Sequence, residues 1–322
     1  MRNLLFSLLC IIGLLSCSKK KLDINATEIL IPLHDRLNKI KFLDQKTGFI
    51  VGGQQFLHPA MLKTIDGGAT WYDVHLPINN EQKEIYGFDF LQDGKIITVG
   101  YGGTMYISSD TGNSFQYVQH SAWNELKDVI FKSNDSALII GGIAFNRGHI
   151  SRFKADGSGT IQVSETLGFE LCDIDMPDLN TVYYAGYGAI LKSVDGGLTH
   201  NFTTAKNDFF KAMCWKNSNE GIAVGYEGSI LRTNNGGASW QFIRNGNDVT
   251  KKKIHFLDVE RNSGSRVVAV AEAGVVFVSD DDGLCWKEAV RFTSNDLHGI
   301  TFKDDQTCFV VGDNGCLFNI GF

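Results

Sequence analysis

The feature that most limits what this chain can fold into is a repeat. An apolar triplet running into a glycine turn occurs seven times. The copies are Ile50-Val51-Gly52-Gly53, Thr98-Val99-Gly100-Tyr101-Gly102, Ile139-Ile140-Gly141-Gly142, Tyr184-Ala185-Gly186-Tyr187-Gly188, Ala223-Val224-Gly225-Tyr226-Glu227-Gly228, Ala269-Val270-Ala271-Glu272-Ala273-Gly274 and Val310-Val311-Gly312-Asp313-Asn314-Gly315. They recur every 39–48 residues, the length of one propeller blade. Ahead of each turn stands an alternating apolar run, such as Leu37-x-x-Ile40-x-Phe42, Ile85-x-x-Phe88-x-Phe90 or Leu297-x-x-Ile300-x-Phe302. Alternation marks a strand with one buried face. In the sixth repeat this run is aligned on Ile254-x-Phe256. The expected fold is all-β, a seven-bladed β-propeller of four-stranded blades over residues 27–322.

A third column follows each turn. Thr64-Ile65-Asp66-Gly67-Gly68-Ala69-Thr70-Trp71 is its clearest copy. Related segments centre on Asp110, Asp195, Asn235 and Asp281, and the third copy, around Lys154–Thr160, is degenerate. This pattern resembles the Asp-box, S/T-x-D-x-G-x-T/S-W, of sialidases, sortilins and related propellers. An Asp or Asn in such a turn accepts backbone N–H groups, and the glycine after it takes a conformation other residues avoid. One residue type recurring at one place in several blades is a device of the fold. These acids are therefore read as structural, neither catalytic nor metal-binding.

The seventh repeat runs out of chain after three strands. The apolar run Ile29-Leu30-Ile31-Pro32-Leu33 is expected to supply the fourth and close the ring, because closure removes exposed sheet edges. Upstream, Arg2 precedes an apolar stretch, Leu4–Leu15, too short to span a bilayer but of signal-peptide length. Leu14-Leu15-Ser16-Cys17 resembles the bacterial lipobox. The resemblance implies a signal peptide over 1–16, lipidation of Cys17 and a tether over 17–26. Several acyl chains hold stably, since each buried methylene contributes about 0.8 kcal/mol. No acidic residue directly follows Cys17, which favours the periplasmic side of the outer membrane over surface export.

The net charge of -6 argues against nucleic-acid binding. Five cysteines beyond Cys17, without C-x-x-C spacing, indicate neither a disulfide framework nor a zinc site. Cys308 and Cys316 are close enough in sequence to meet across one hairpin. No cofactor is implied, and a monomer is expected.

The full repeat, F-x-D-x-x-x-G-x-x-V-G-x-x-G-x-I-x-x-T-x-D-G-G-x-T-W, resembles the photosystem II assembly/stability factor family of propellers. Phe42-Leu43-Asp44, Gly48-Phe49-Ile50-Val51-Gly52 and Gly221–Ile230 carry the likeness. Photosynthetic members of that family hold a membrane-protein intermediate during assembly. For this chain the resemblance implies the fold and protein binding.

Propeller ligands usually sit over the central channel. The residues entering the inner strands read Asn38, Tyr86, Lys127, Cys172, Lys211, Lys252 and His298. The next column reads Lys39, Gly87, Asp128, Asp173, Ala212, Lys253 and Gly299. Turns on the same side offer Tyr101, Arg147, Tyr187, Tyr226 and Glu227, with Trp123 in a nearby loop. Tyr, Trp and Arg are enriched in binding hot spots. The binding set is accordingly Tyr101, Trp123, Lys127, Arg147, Tyr187, Lys211, Tyr226, Glu227 and His298. A sialidase needs an arginine triad, which the repeat frame does not supply. A glycosidase needs two facing carboxylates, for which Asp89, Asp128, Asp173 and Asp175 are available. No G-x-S-x-G, H-E-x-x-H or P-loop motif is present. The leading reading is a lipid-anchored scaffold or assembly factor with an envelope protein partner. The alternatives are a glycan-binding lipoprotein and a glycoside hydrolase.

Overall fold

The computed structural model describes residues 20–77, 83–154 and 161–322. The signal segment, Cys17 and the third repeat's turn at 155–160 lie outside them. The described chain forms seven four-stranded antiparallel sheets arranged as the blades of one propeller. The innermost strands are Arg36–Phe42, Ile85–Phe90, Leu126–Ser133, Leu171–Asp175, Phe210–Trp215, Phe256–Arg261 and Leu297–Phe302. Their apolar side chains fill the seams between blades. In the first seam, Phe49, Val51 and Met61 of blade one meet Ile85 and Phe88 of blade two, all fully buried. Each such side chain contributes roughly 1.5–3 kcal/mol, so the seams bind the blades into one ring.

Every inner strand carries a register shift near its start, after the first paired residue in six blades and after the second in blade one. The shifts fall at Leu37/Lys39, Ile85/Gly87, Leu126/Asp128, Leu171/Asp173, Phe210/Ala212, Phe256/Asp258 and Leu297/Gly299. A bulge leaves one residue unpaired and re-aims its side chain. The seven skipped residues are Asn38, Tyr86, Lys127, Cys172, Lys211, Leu257 and His298.

This register corrects the sixth repeat. Phe256 pairs with Ala271, the position held in other blades by the strand's first residue. The inner-column residues of that blade are therefore Leu257 and Asp258, and Lys252 and Lys253 lie in the loop before it. Arg261 stands where five other blades have an aromatic residue and blade four has Met176, which removes the end marker of the strand. Ile254, buried in the same seam, mimicked the alternation five residues too early.

The closing strand also differs from expectation. Asn25–Glu28 pairs with Leu317–Gly321 and completes blade seven. Only Ile29 of the proposed run extends the ladder, donating its N–H to Leu317 O at 2.8 Å. Pro32 has no N–H to give a ladder. Ile29, Ile31 and Leu33 instead pack into the seam of blades seven and one, and Leu30 is 89% exposed. Further upstream, Leu22 bridges to Ala289 at the outer edge of blade six. The N-terminal segment thus spans two blades. Cys308 and Cys316 are buried free thiols, with no bridge between them.

The Asp-box turns join the third and fourth strands of their blades, at the end of the ring away from the inner-strand bulges. Asp66 Oδ1 accepts the Thr64 hydroxyl at 2.8 Å and Thr70 N–H at 2.9 Å, and Oδ2 accepts the Thr70 hydroxyl at 2.6 Å. Asp110 and Asp195 repeat the pattern with Ser114 and Thr199. Asp281 Oδ1 accepts Cys285 N–H at 2.8 Å. In Asn235 the amide donates to Ser239 Oγ at 2.8 Å while its oxygen accepts Ser239 N–H. The hydroxyl reverses its role there, which is why Asn serves where Asp usually stands. Hydrogen bonds from Thr70 and Ser114 hold Asp66 and Asp110 down at about 2.

Candidate functional site

All seven bulge residues converge on one cavity of about 390 Å³ at the mouth of the central channel. The repeat supplies the position and the sequence varies the chemistry: an amide, a phenol, two lysines, a thiol, a leucine and an imidazole. Lys127 and His298 are held by carboxylates, whereas Lys211 is held by a thiol and a ring. Lys127 pairs with Glu125 and, at 3.4 Å, with Glu170, and its ammonium lies 4.8 Å from the Tyr86 ring centre. His298 Nε2 is 2.8 Å from Asp313, which Arg36 also contacts at 3.0 Å. The hydrogen bond from His298 keeps Asp313 at about 2. Lys211 reaches Cys172 Sγ at 3.6 Å and lies 4.6 Å from the Phe209 ring centre.

Below the mouth, blade one sends two lysines into an acidic channel. Lys39 meets Asp128 at 2.6 Å, with Asp173 and Asp258 in its field. Burial opposes the charge of Lys39, but these carboxylates outweigh it and raise its pKa. Burial together with Asp128 pushes Asp173 well up. One level deeper, Lys41 pairs with Asp89 at 3.1 Å. Burial lifts Asp175 to about 6 and Glu260 to about 7. Several of these acids pin neighbouring blades together. Asp89 accepts Phe131 N–H at 2.8 Å, Asp173 accepts Met213 N–H at 2.7 Å, and Asp258 accepts Ile300 N–H at 2.9 Å. Gly87 leaves the room this needs, since a Cβ there would lie 2.7 Å from Asp128 Oδ1.

The remaining candidates occupy the turns around this mouth. Tyr101 packs edge-on against Phe56 at 5.0 Å. Arg147 follows Phe145 in the turn of blade three, and Tyr187 touches Phe145 at 5.3 Å. Tyr226 stacks on His255 at 4.2 Å, and Glu227 pairs with Lys253. Trp123 is 64% exposed. The structure thus groups Lys127, Lys211 and His298 at the mouth, Arg147 and Tyr187 around Phe145, and Tyr226 with Glu227 in the next blade, where Glu227 lines a cavity shared with Tyr187. Sequence reading passed over Phe209, Phe56 and Leu257. A period-two pattern marks strands, and Phe209 and Phe56 sit in connections, while Leu257 was lost with the register of blade six.

A buried pair outside the mouth predicts a pH dependence. His120 and His149 lie in the seam of blades two and three, with ring centres 5.7 Å apart. His120 Nε2 and both ring nitrogens of His149 have no hydrogen-bond partner among the described residues. Burial holds both histidines down at about 4. The unfolded chain takes up these protons near pH 6.5, so their stabilisation is complete above that value and is lost as pH falls towards 4. The loss is on the order of 3 kcal/mol per histidine. Asp175 and Glu260 act oppositely, because their raised values make protonation easier in the folded ring. Melting curves from pH 7 to pH 4 should fall more steeply for wild type than for His149→Leu. Parallel curves would remove the pair from the account.

No family model matches the chain. In sequence it is 22% identical over 306 residues to the chloroplastic photosystem II stability/assembly factor HCF136 of Arabidopsis thaliana, covering 84% of this chain and 72% of that protein. The chain is similar to an assembly factor. In structure it overlays on YCF48 bound to D1 peptide with a TM-score of 0.76 at 18% identity, covering 95% of this chain and 98% of that one. YCF48 from Cyanidioschyzon merolae overlays with a TM-score of 0.73 at 19% identity, covering 92% and 98%. These overlays establish a shared seven-bladed ring.

Proposed function

We propose that this protein is a lipid-anchored scaffold or assembly factor of the bacterial cell envelope that holds a polypeptide partner on its channel-mouth face. The observation that carries the reading is the ring of seven bulge residues. A fold device repeats its residue as the Asp-box does, whereas this column holds six residue types in seven blades around one cavity. Exposed aromatics surround it, as expected for a surface that a partner covers. The similarity to HCF136, named as an assembly factor, and to YCF48, solved with a peptide, supports the same direction. Fold alone would not, since one fold serves many functions. The hydrolase reading is weakened because Asp89 and Asp173 are taken up by backbone N–H groups of the next blade. The anchor rests on Cys17 and its lipobox, with the periplasmic face of the outer membrane as the location.

The test is an in-cell crosslinking pull-down of the tagged protein against its Tyr187→Ala/Tyr226→Ala/Arg147→Ala variant. One envelope protein should be enriched by wild type and lost with the folded variant. Equal recovery by both would defeat the reading. Metabolic labelling with an alkyne fatty acid should tag wild type and not Cys17→Ala.

A further inference from the structure

The channel-mouth face carries a second feature that the repeat does not require. Phe145 and Ala144, at the tip of the Ser136–Ile143/Arg147–Lys154 hairpin, hold φ values of 62° and 58°. A bulky side chain disfavours that region. Glu170 enforces it, since its carboxylate accepts Phe145 N–H at 3.1 Å and its own N–H donates to Phe145 O at 3.3 Å. The hairpin is thus built to display Phe145, yet the residue remains 54% exposed.

Three rings from three connections meet there. Phe145, Tyr187 and Phe209 have mutual centre distances of 5.3, 5.6 and 5.5 Å, at interplanar angles of 42°, 84° and 71°. Phe145 backs the other two rings, and Tyr187 and Phe209 wall a notch at the side of the cluster. The notch opens into a cavity of about 680 Å³ walled by Tyr187, Phe209, Phe202 and Lys206, with Asp208 and Glu227 also on its lining. A sugar ring stacks on a flat open aromatic face. Here Phe209 stands edge to face against both other rings, and the Lys211 ammonium stands over Phe209. The shape suits a side chain entering end-on.

Charge narrows the occupant further. Arg147 and Lys206 are exposed beside the notch, and Lys211 leans over it. The nearby acids are already engaged: Glu170 with Phe145 N–H, Asp208 with the N–H groups of Glu227 and Ser229, and Glu227 with Lys253. We propose that the Phe145–Tyr187–Phe209 notch takes an apolar anchor side chain of a polypeptide whose neighbouring residues are acidic. This rests on the polypeptide-binding reading above and specifies its chemistry.

The probe is a displayed library of random twelve-residue peptides, panned on the wild-type protein and counter-screened on Phe145→Ser. Thermal melts check that this variant folds. Selected peptides should share an aromatic or aliphatic anchor with Asp or Glu nearby. They should lose at least about tenfold in affinity with Phe145→Ser, the size of one anchor contact. Lys206→Glu should weaken them as well, and Leu284→Ser, on the Asp-box face, should not. Selections without an anchor and acid pattern, equal binding to Phe145→Ser, or no enrichment over that variant would each overturn the proposal. A consensus obtained here with no partner recovered in cells would defeat the scaffold reading and leave the notch standing.

Discussion

Removing residues 20–28 lowers the melting temperature of the ring by roughly 5–10 °C. The deletion takes away the outer strand of blade seven, four paired residues from Asn25 to Glu28. It also removes Leu22, Ile24 and Ala26, which pack against the core of blades six and seven. At about 1 kcal/mol per ladder bond or partly buried side chain, the loss is on the order of 5 kcal/mol. Blade seven is then left with an open edge, so aggregation should accompany unfolding. Leu30→Asp provides the contrast. It places a charge in the apolar run once expected to form the strand, at a side chain that is 89% exposed. That variant should melt with wild type. A deletion melting within about 2 °C of wild type would show that blade seven does not need its N-terminal strand.

Replacing Lys39 by Met should cost about 3–5 kcal/mol, the usual penalty for breaking one side of a buried ion pair. Asp128 is buried and has Lys39 as its ion-pair partner at 2.6 Å. Without that ammonium, Asp128, Asp173 and Asp258 face one another in the channel. The penalty should shrink at pH 5, because the raised values of Asp173 and Asp258 let the folded ring take up protons there. Adding Asp128→Asn to the Lys39→Met protein should restore part of the loss by removing the orphaned charge. Urea midpoints at pH 7.5 and pH 5 measure both effects. An unchanged midpoint at pH 7.5 would mean that the channel acids are already neutral without Lys39.

The ring was readable because its parts repeat. Seven glycine turns fix the period, and the alternating apolar runs locate the inner strands wherever the last residue is large and apolar. Reading failed where a blade departs from that chemistry. Arg261 hides the end of the sixth inner strand, and the buried loop residue Ile254 imitates it. The closing strand was missed because Asn25-Ala26-Thr27-Glu28 is polar, as an outer strand with one wet face is free to be. The run Ile29–Leu33 is more apolar, although Ile29, Ile31 and Leu33 fill a seam. At the mouth, the column of varied residues was visible in six blades of seven. Its cause was not, since a bulge is a matter of pairing between strands and leaves no mark in one strand's sequence. Partners distant in the chain were equally hidden. Glu170 beneath Phe145, Asp128 beside Lys39 and His120 against His149 meet only once the blades close.

The central claim is that one face of the ring holds a protein, and site-specific photocrosslinking in cells tests it most directly. A photoreactive amino acid is placed singly at Trp123, Tyr187 and Tyr101 on the channel-mouth face, and at Ile65, Val194 and Leu198 on the Asp-box face. The account predicts that the same envelope protein is trapped from the first three positions and from none of the second three. Trapping from the Asp-box positions alone, or no discrete adduct from any mouth position, would contradict it.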